Sequence, residues 1–217
     1  MVKNKIALSS SIVLFIVCLC LSAFIPIREK ISAYLEIMSF PILNTDGFQI
    51  RGIVGAILLI FAFVLLVLSL NKFRVRTFFI AVLVYAYLPT ILMTIYQETF
   101  AKGVSAISYD GNGNCEFENI KEDIMRGKCS LVLYNRGHEA VTFELVFMDS
   151  PFWEEEVRFE SLMNEAGPYH ITIEGNTKQA ITLDELINVI DIPNHIENGT
   201  ANNVHIQLID GKRVRYY

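Results

Sequence analysis

Three long runs of apolar residues without a charged side chain constrain this chain more than any other feature. They cover residues 6–27, 53–70 and 78–96. A helix needs about 20 apolar residues to cross a hydrocarbon core about 30 Å thick. All three runs are close to that length, and three in a row exceed what a soluble core of this size would bury. The sequence therefore predicts an α-helical membrane domain with three transmembrane helices over residues 1–98, in contact with the lipid bilayer.

Charge divides the chain at the same place. Residues 1–98 hold 4 acidic and 8 basic side chains, whereas residues 99–217 hold 19 acidic and 10 basic ones. An apolar half with net charge +4 is thus joined to an acidic half with net charge −9. This division excludes a single water-soluble globule, a disordered chain and a nucleic-acid-binding protein with a basic face.

The first apolar run also admits a second interpretation, a cleaved signal peptide. Lys3 and Lys5 give it the required basic start. However, the run is longer than the usual apolar core of about 7–15 residues, and no Ala-x-Ala site follows it. We favour a retained membrane helix and keep cleavage as the alternative.

Basic residues predict the orientation of the chain. The connection between the second and third runs carries Lys72, Arg74 and Arg76 and no acidic residue. Lys3 and Lys5 mark the N-terminus in the same way. Because Lys and Arg concentrate in cytoplasmic loops, we expect a cytoplasmic N-terminus and an extracytoplasmic C-terminal half. A compact multi-pass chain without other targeting signals favours a bacterial plasma membrane.

The segment between the first two runs shows a helical pattern. Ile31, Tyr34, Leu35 and Met38 fall at i, i+3, i+4 and i+7, which predicts one apolar helical stripe. Such a helix would rest on the outer lipid headgroups or pack on the helix bundle, and the sequence leaves both possibilities open.

The C-terminal half, residues 99–217, changes to a period of two, which is typical of half-buried strands. We predict seven to nine strands and an all-β domain, an antiparallel β-sandwich of immunoglobulin-like architecture. The lone Trp153 does not sit in the Cys…Trp…Cys pattern of antibody domains. The predicted strands are 104–109, 115–118, 129–134, 140–148, 157–160, 169–175, 179–182, 203–209 and 212–217.

Local motifs refine this pattern. Asp210-Gly211 predicts a tight hairpin between the last two strands, since Gly readily adopts the positive φ of a type I′ turn. Thr182-Leu-Asp-Glu185 has the form of a capping box, which predicts a short helix ended by Pro193. Residues 119–126, followed by Gly127, are a weaker candidate for a helical turn.

Two of the four cysteines lie in the C-terminal half. A disulfide between Cys115 and Cys129 would close a short loop and add about 2–3 kcal/mol of stability, and an extracytoplasmic location permits it. Two free thiols are the alternative. Cys18 and Cys20 lie in the first apolar run and are expected to be inert.

The sequence offers no set of residues for catalysis, metal binding or cofactor binding. Asp110-Gly-Asn-Gly-Asn114 resembles the start of a calcium loop, but Cys115 and Lys121 occupy the positions that require Gly and Glu. The four histidines lack zinc-site spacing, and no nucleophile elbow or phosphate-binding loop is present. We therefore expect no catalytic, cofactor or metal residues and no enzymatic activity.

The apolar runs also lack the charged residues that transport requires. Proton relays and ion pathways usually depend on Asp, Glu, Lys, Arg or His inside the membrane, and three short helices lack the inverted repeats of secondary transporters. A transporter or channel that acts alone is thus disfavoured.

The remaining interpretation is a membrane-anchored binding or accessory module that contacts another membrane or envelope protein. Its contacts would come from loops, here 110–114, 150–156 and 194–202. A subunit of a membrane-embedded enzyme or transporter complex is the alternative, and a structural envelope protein is a third. The candidate contact residues are Phe152, Trp153, Glu154, Glu155 and Glu156.

Overall fold

The computed structural model combines long helices with antiparallel sheets in two compact units. The N-terminal unit is Met1–Met93 and the C-terminal unit is Thr94–Tyr217. The division falls five residues before the predicted boundary at residue 98. The structure describes residues 3–24, 33–44, 47–121, 123–150, 157–211 and 213–217.

Three helices are long and apolar enough to cross a membrane. They are α1 (Lys5–Phe24), α2 (Ile50–Ser69) and α3 (Arg74–Thr99). Each contains the greater part of one predicted apolar run. The α3 helix begins at Arg74, so Arg74 and Arg76 belong to its first turn and not to the preceding connection.

Backbone and side-chain hydrogen bonds join α1 to α2. The Ser11 hydroxyl donates to the carbonyl of Ala62 at 2.8 Å, and the Lys3 backbone N–H donates to the carbonyl of Ser69 at 2.7 Å. Phe15 packs edge-on against Phe63 with 4.9 Å between ring centroids. Polar groups in an apolar environment need such internal partners, and the Ser11 hydroxyl and the Lys3 backbone N–H each have one.

The helix predicted from the Ile31–Met38 stripe does not form in the described part of that segment. A three-stranded sheet occupies it instead, made of β1 (Ala33–Ile37), β2 (Phe40–Asn44) and β3 (Gly47–Phe48). Ile37 pairs with Phe40 across a two-residue turn in which both residues have positive φ. This turn geometry directs the chain back on itself and interrupts the helical pattern.

Two glycines of α2 make room for this sheet. A Cβ atom at Gly52 would lie 1.6 Å from the carbonyl oxygen of Pro41, and one at Gly55 would lie 2.2 Å from the ring of Phe40. Phe40 is fully buried as a result. The glycines thus serve a close approach of strand to helix.

The C-terminal unit contains two antiparallel sheets. The strands are β4 (Ile107–Tyr109), β5 (Asn114–Lys121), β6 (Ile124–Asn135), β7 (Val141–Met148), β8 (Tyr169–Ile173), β9 (Thr177–Asn188), β10 (Gly199–Asn202), β11 (His205–Asp210) and β12 (Arg213–Tyr216). Sheet 1 has the order β10-β5-β6-β9, with the short β4 also paired to β6, and sheet 2 has the order β12-β11-β7-β8.

Side chains from both sheets form one hydrophobic core. Phe117 and Leu131 of sheet 1 belong to the same buried cluster as Phe143, Phe147 and Leu208 of sheet 2. Buried residues alternate with exposed or half-buried ones along β7, as the period of two predicts. The core therefore consists of side chains that the alternation places on the inward faces of the strands.

The structure contradicts two predictions that concern residues 182–185 and 157–160. The capping box Thr182–Glu185 lies within β9, which pairs with β6 through 12 consecutive residues. This long ladder outweighs the local helical signal, because Ile181 and Ile187 reach the core from a strand. The predicted strand 157–160 is only an isolated bridge at Arg158, followed by the 3-10 helix Glu160–Ala166.

In the same unit, one predicted turn is shifted, one predicted helical turn does not form, and one strand was not predicted. The turn predicted at Asp210-Gly211 is present but shifted by one residue, because Asp210 pairs with Arg213 and Gly211, with φ +58°, opens the two-residue loop. The helical turn predicted over 119–126 does not form, since β5 and β6 pair as a hairpin there. Sequence reasoning missed β10, whose Gly-Thr-Ala-Asn sequence lacks a strand pattern.

The carbonyl of Ile107 joins three parts of the C-terminal unit. It accepts hydrogen bonds from the Gln97 amide, at 2.9 Å, and from the Tyr217 hydroxyl. The guanidinium groups of Arg213 and Arg215 donate to the carbonyls of residues 102 and 105. The last turn of α3, the start of β4 and the final strand are therefore held together.

A disulfide joins Cys115 of β5 to Cys129 of β6. The two residues face each other in the strand register, with 4.1 Å between their Cα atoms. Both are buried, whereas Cys18 and Cys20 remain free thiols. This bond links neighbouring strands of one sheet, unlike the disulfide of antibody domains, which bridges two sheets.

We predict that removal of this disulfide by Cys115→Ala/Cys129→Ala lowers the stability of the C-terminal unit by about 2–3 kcal/mol, because the unfolded chain loses a closed loop. Thermal unfolding of the full chain in detergent should shift by about 10 °C. Cys18→Ala/Cys20→Ala is the matched control. An equal shift in the control, or none in the first variant, would contradict the prediction.

Candidate functional site

The described loops that follow β5, β7 and β9 meet at one end of the C-terminal unit, which we call the loop end. The backbone N–H of Asn119 donates to the side chain of Asn198 at 2.9 Å, and that of Val189 donates to the carbonyl of Asp123 at 3.0 Å. Phe159 packs on Phe117 with ring centroids 5.5 Å apart. The last turn of α3 lies at the opposite end of the strands, beside Ile107.

Asp149 organises this end. It directly follows β7, and its Oδ1 accepts hydrogen bonds from the backbone N–H groups of Phe159 and Ser161, each at 2.9 Å. Its Oδ2 accepts a third from the Ser161 hydroxyl at 2.5 Å. A carboxylate with several short donors forms strong hydrogen bonds. Asp149 therefore ties the chain leaving β7 to the chain entering the 3-10 helix.

Arg158 connects the same region to a second loop. Its backbone N–H donates to the carbonyl of Asn194 at 2.8 Å, and its carbonyl accepts from the N–H of Ile196 at 3.2 Å. Its guanidinium forms an ion pair with Glu165 at 2.7 Å and donates to the carbonyl of Ser161 at 3.0 Å. Backbone and side chain together join the 157–166 and 194–196 segments.

Asn164 completes the frame from the 3-10 helix. Its side-chain amide donates to the carbonyl of Phe147, and its side-chain oxygen accepts from the Phe147 N–H, both at 2.8 Å. The amide side chain thus acts as an extra strand residue at the end of β7. This paired contact fixes the 3-10 helix against sheet 2.

Glu160 is the buried carboxyl of the site, only 1% exposed. Burial raises the pKa of this carboxyl above its ordinary value, and the nearby charge of Asp149 adds to the increase. Backbone N–H groups of Glu160 and Ser150 oppose the shift by donating to it. Its Oε2 has no hydrogen-bond partner among the described residues.

The predicted contact residues Phe152, Trp153 and Glu154–Glu156 lie outside the described residues. Asp149 precedes them and Arg158 follows them, so the site consists of the two fixed ends of that segment. Sequence patterns do not indicate this frame, because Asp149 and its partners are 10 to 12 residues apart and belong to no regular repeat. A polar residue directly after a strand was the available signal.

The predicted topology-determining residues lie in the N-terminal unit. The bond from the Lys3 N–H to Ser69 brings the start of α1 beside the end of α2. Lys5 is in the first turn of α1, and Lys72, Arg74 and Arg76 follow α2 directly. Both basic groups therefore lie at the same end of the α1–α2 pair.

Comparisons with known proteins add no relationship. No family model, curated protein or solved structure matches the chain. Among the described residues, no group of three His, Cys, Asp or Glu side chains is placed to hold a metal ion.

We predict that Asp149→Ala destabilises the loop end by about 2 kcal/mol, because two backbone N–H groups lose their acceptor. The single tryptophan, Trp153, lies four residues away in the sequence and gives a fluorescence probe for unfolding of the full chain in detergent. Asp110→Ala is the control, since that carboxylate accepts one bond in an exposed turn. Equal effects of both changes would refute a special role for Asp149.

We predict that Glu160→Gln stabilises the protein at pH 7 and that the gain shrinks as the pH falls. Because folding raises the pKa of the Glu160 carboxyl, the protonated carboxyl suits the folded state better than the charged one. The stability that Glu160 contributes is therefore complete below its unfolded pKa and is lost as the pH rises through its folded pKa, whereas Gln stays neutral throughout. Melting temperatures between pH 4.5 and 7.5 measure this difference. The exposed Glu197→Gln controls for loss of one charge, and a gain that does not change with pH would exclude this explanation.

Proposed function

We propose that this chain is a non-enzymatic, membrane-anchored accessory protein of a bacterial plasma membrane. The three helices anchor it, and the C-terminal unit contacts another membrane or envelope protein. The observation that carries this proposal is the frame of Asp149, Arg158 and Asn164, which lies on both sides of the segment with the sequence Phe152–Glu156. Preorganised loop ends reduce the entropy lost on binding.

The proposal includes a β-sandwich of immunoglobulin-like kind. It is supported by two antiparallel sheets that contribute to a single hydrophobic core. Sandwich domains bind through loops collected at one end of the sheets. The loop end has that character, because the segments after β5, β7 and β9 meet there.

Orientation is the second part of the proposal. The two basic groups share one end of the α1–α2 pair, as expected for a cytoplasmic side. The Cys115–Cys129 disulfide favours an oxidising compartment for the C-terminal unit. Both features support a cytoplasmic N-terminus and an extracytoplasmic C-terminal unit.

Reporter fusions test the orientation. A fusion at residue 74 should be active only with a cytoplasmic reporter, and a fusion at residue 217 only with an extracytoplasmic one. The reason is that one proposed membrane crossing, the α3 helix, separates the two positions. A cytoplasmic signal at residue 217 would overturn this part of the proposal.

In-cell photo-crosslinking tests the binding role. A photoreactive residue at the exposed Glu197 of the loop end should capture a discrete protein, and one at the exposed Lys178 of the opposite end should not. Asp149→Ala should weaken the capture from residue 197, since it releases one end of the frame. Equal yields from both positions, or none from either, would contradict a binding site at the loop end.

A further inference from the structure

Three large apolar side chains at the loop end remain exposed, and we call them the apolar patch. Ile120 is 48% exposed, Leu186 is 65% exposed and Ile190 is 61% exposed. Single exposed apolar residues are ordinary on protein surfaces. A group of them on neighbouring strands is a mark of an interaction site.

The strand register places these residues near one another. β5 and β9 pair with opposite edges of β6, so they lie about 10 Å apart. Ile120 is in a bulge of β5 beside Ile124, and Leu186 is opposite Arg126. The half-buried Ile124 lies on the strand between them, so apolar side chains occur on all three strands at this end.

Local bonds fix the position of the patch. The 12-residue ladder between β6 and β9 holds Leu186, and the Ile190 N–H donates to the side chain of Asn188 at 3.1 Å. The Asn119 N–H is bonded to Asn198, so the patch adjoins the 194–202 loop. Apolar side chains on a hydrogen-bonded backbone lose little conformational entropy when they bind a partner.

The charge around the patch selects its partner. Arg126 is already paired with Asp184 through two bonds of 2.7 Å. Glu118, Asp123 and Asp191 then outnumber Lys121. An acidic border repels anionic lipid headgroups and also a second copy of itself, whereas it attracts Lys and Arg.

We propose that the apolar patch is the docking surface for a protein that presents an apolar pocket edged by Lys and Arg. This proposal rests on the proposed function, because it requires the C-terminal unit to contact another protein. The apolar patch defines the surface that is contacted and the kind of side chains that the partner presents, neither of which follows from the frame of Asp149, Arg158 and Asn164.

Site-specific crosslinking of the full chain in cells tests this proposal. A photoreactive residue at Leu186 should capture one protein, and its crosslinked peptide, identified by mass spectrometry, should contain apolar residues beside Lys or Arg. A photoreactive residue at Thr182, exposed on the same strand and face, is the matched control. Capture of lipid, or of a second copy of this chain, would overturn the proposal.

Binding of the purified captured protein to the full chain in detergent gives the second measurement. Leu186→Ser and Ile120→Ser should each weaken the Kd about tenfold, and 0.5 M salt should weaken it further. Thr182→Ala should leave it unchanged, and unaltered melting temperatures would show that the variants remain folded. A Kd that does not respond to the two serine changes would exclude the patch.

The two proposals fail in different ways. Capture from residue 197 together with no capture from residue 186 would overturn the apolar patch and leave the accessory function in place. No capture from either residue would overturn both.

Discussion

The hydrogen bonds at the carbonyl of Ile107 are the constraint on which the C-terminal unit depends. Gln97, at the end of α3, and Tyr217, after the last strand, both donate to this one acceptor. Gln97 is 4% exposed, and burial raises the pKa of the Tyr217 hydroxyl above its ordinary value. Loss of either donor would leave a buried carbonyl with fewer hydrogen bonds, which costs free energy. The first residue of β4 is therefore held both by the end of α3 and by the C-terminal residue.

The two sheets extend from Ile107 to the loop end. Apolar packing holds the sheets together, whereas polar hydrogen bonds hold the segments at the loop end. The core is formed by alternate residues of the strands, whereas Asp149, Arg158 and Asn164 hold the segments that have no ladder of their own. The apolar patch lies beside this polar frame. One end of the unit thus combines a hydrogen-bonded frame, exposed apolar side chains and excess negative charge.

The sequence predicted those features that a single physical requirement dictates locally. Lipid demands uniformly apolar helices, so α1, α2 and α3 were evident, and alternation revealed β7 and β11. The failures at Thr182–Glu185 and Ile31–Met38 have one cause, because pairing with distant or returning strands outweighed a helical spacing. The frame around Asp149 depends on side-chain bonds to irregular backbone, which no periodicity encodes. The role of Phe152–Glu156 as contact residues remains a prediction from the sequence alone.

The pairing of β6 on its two edges has a consequence for how the unit folds. Its partners in β5 lie 3 to 16 positions away across a hairpin, whereas its partners in β9 lie 42 to 64 positions along the chain. Loop closure over the longer distance costs more entropy and slows folding. Until β9 arrives, one edge of a 12-residue strand stays open to pairing with any other extended chain. We therefore expect the Cys115–Cys129 hairpin to form before β9 pairs with it, and its open edge is available for misassembly during that interval.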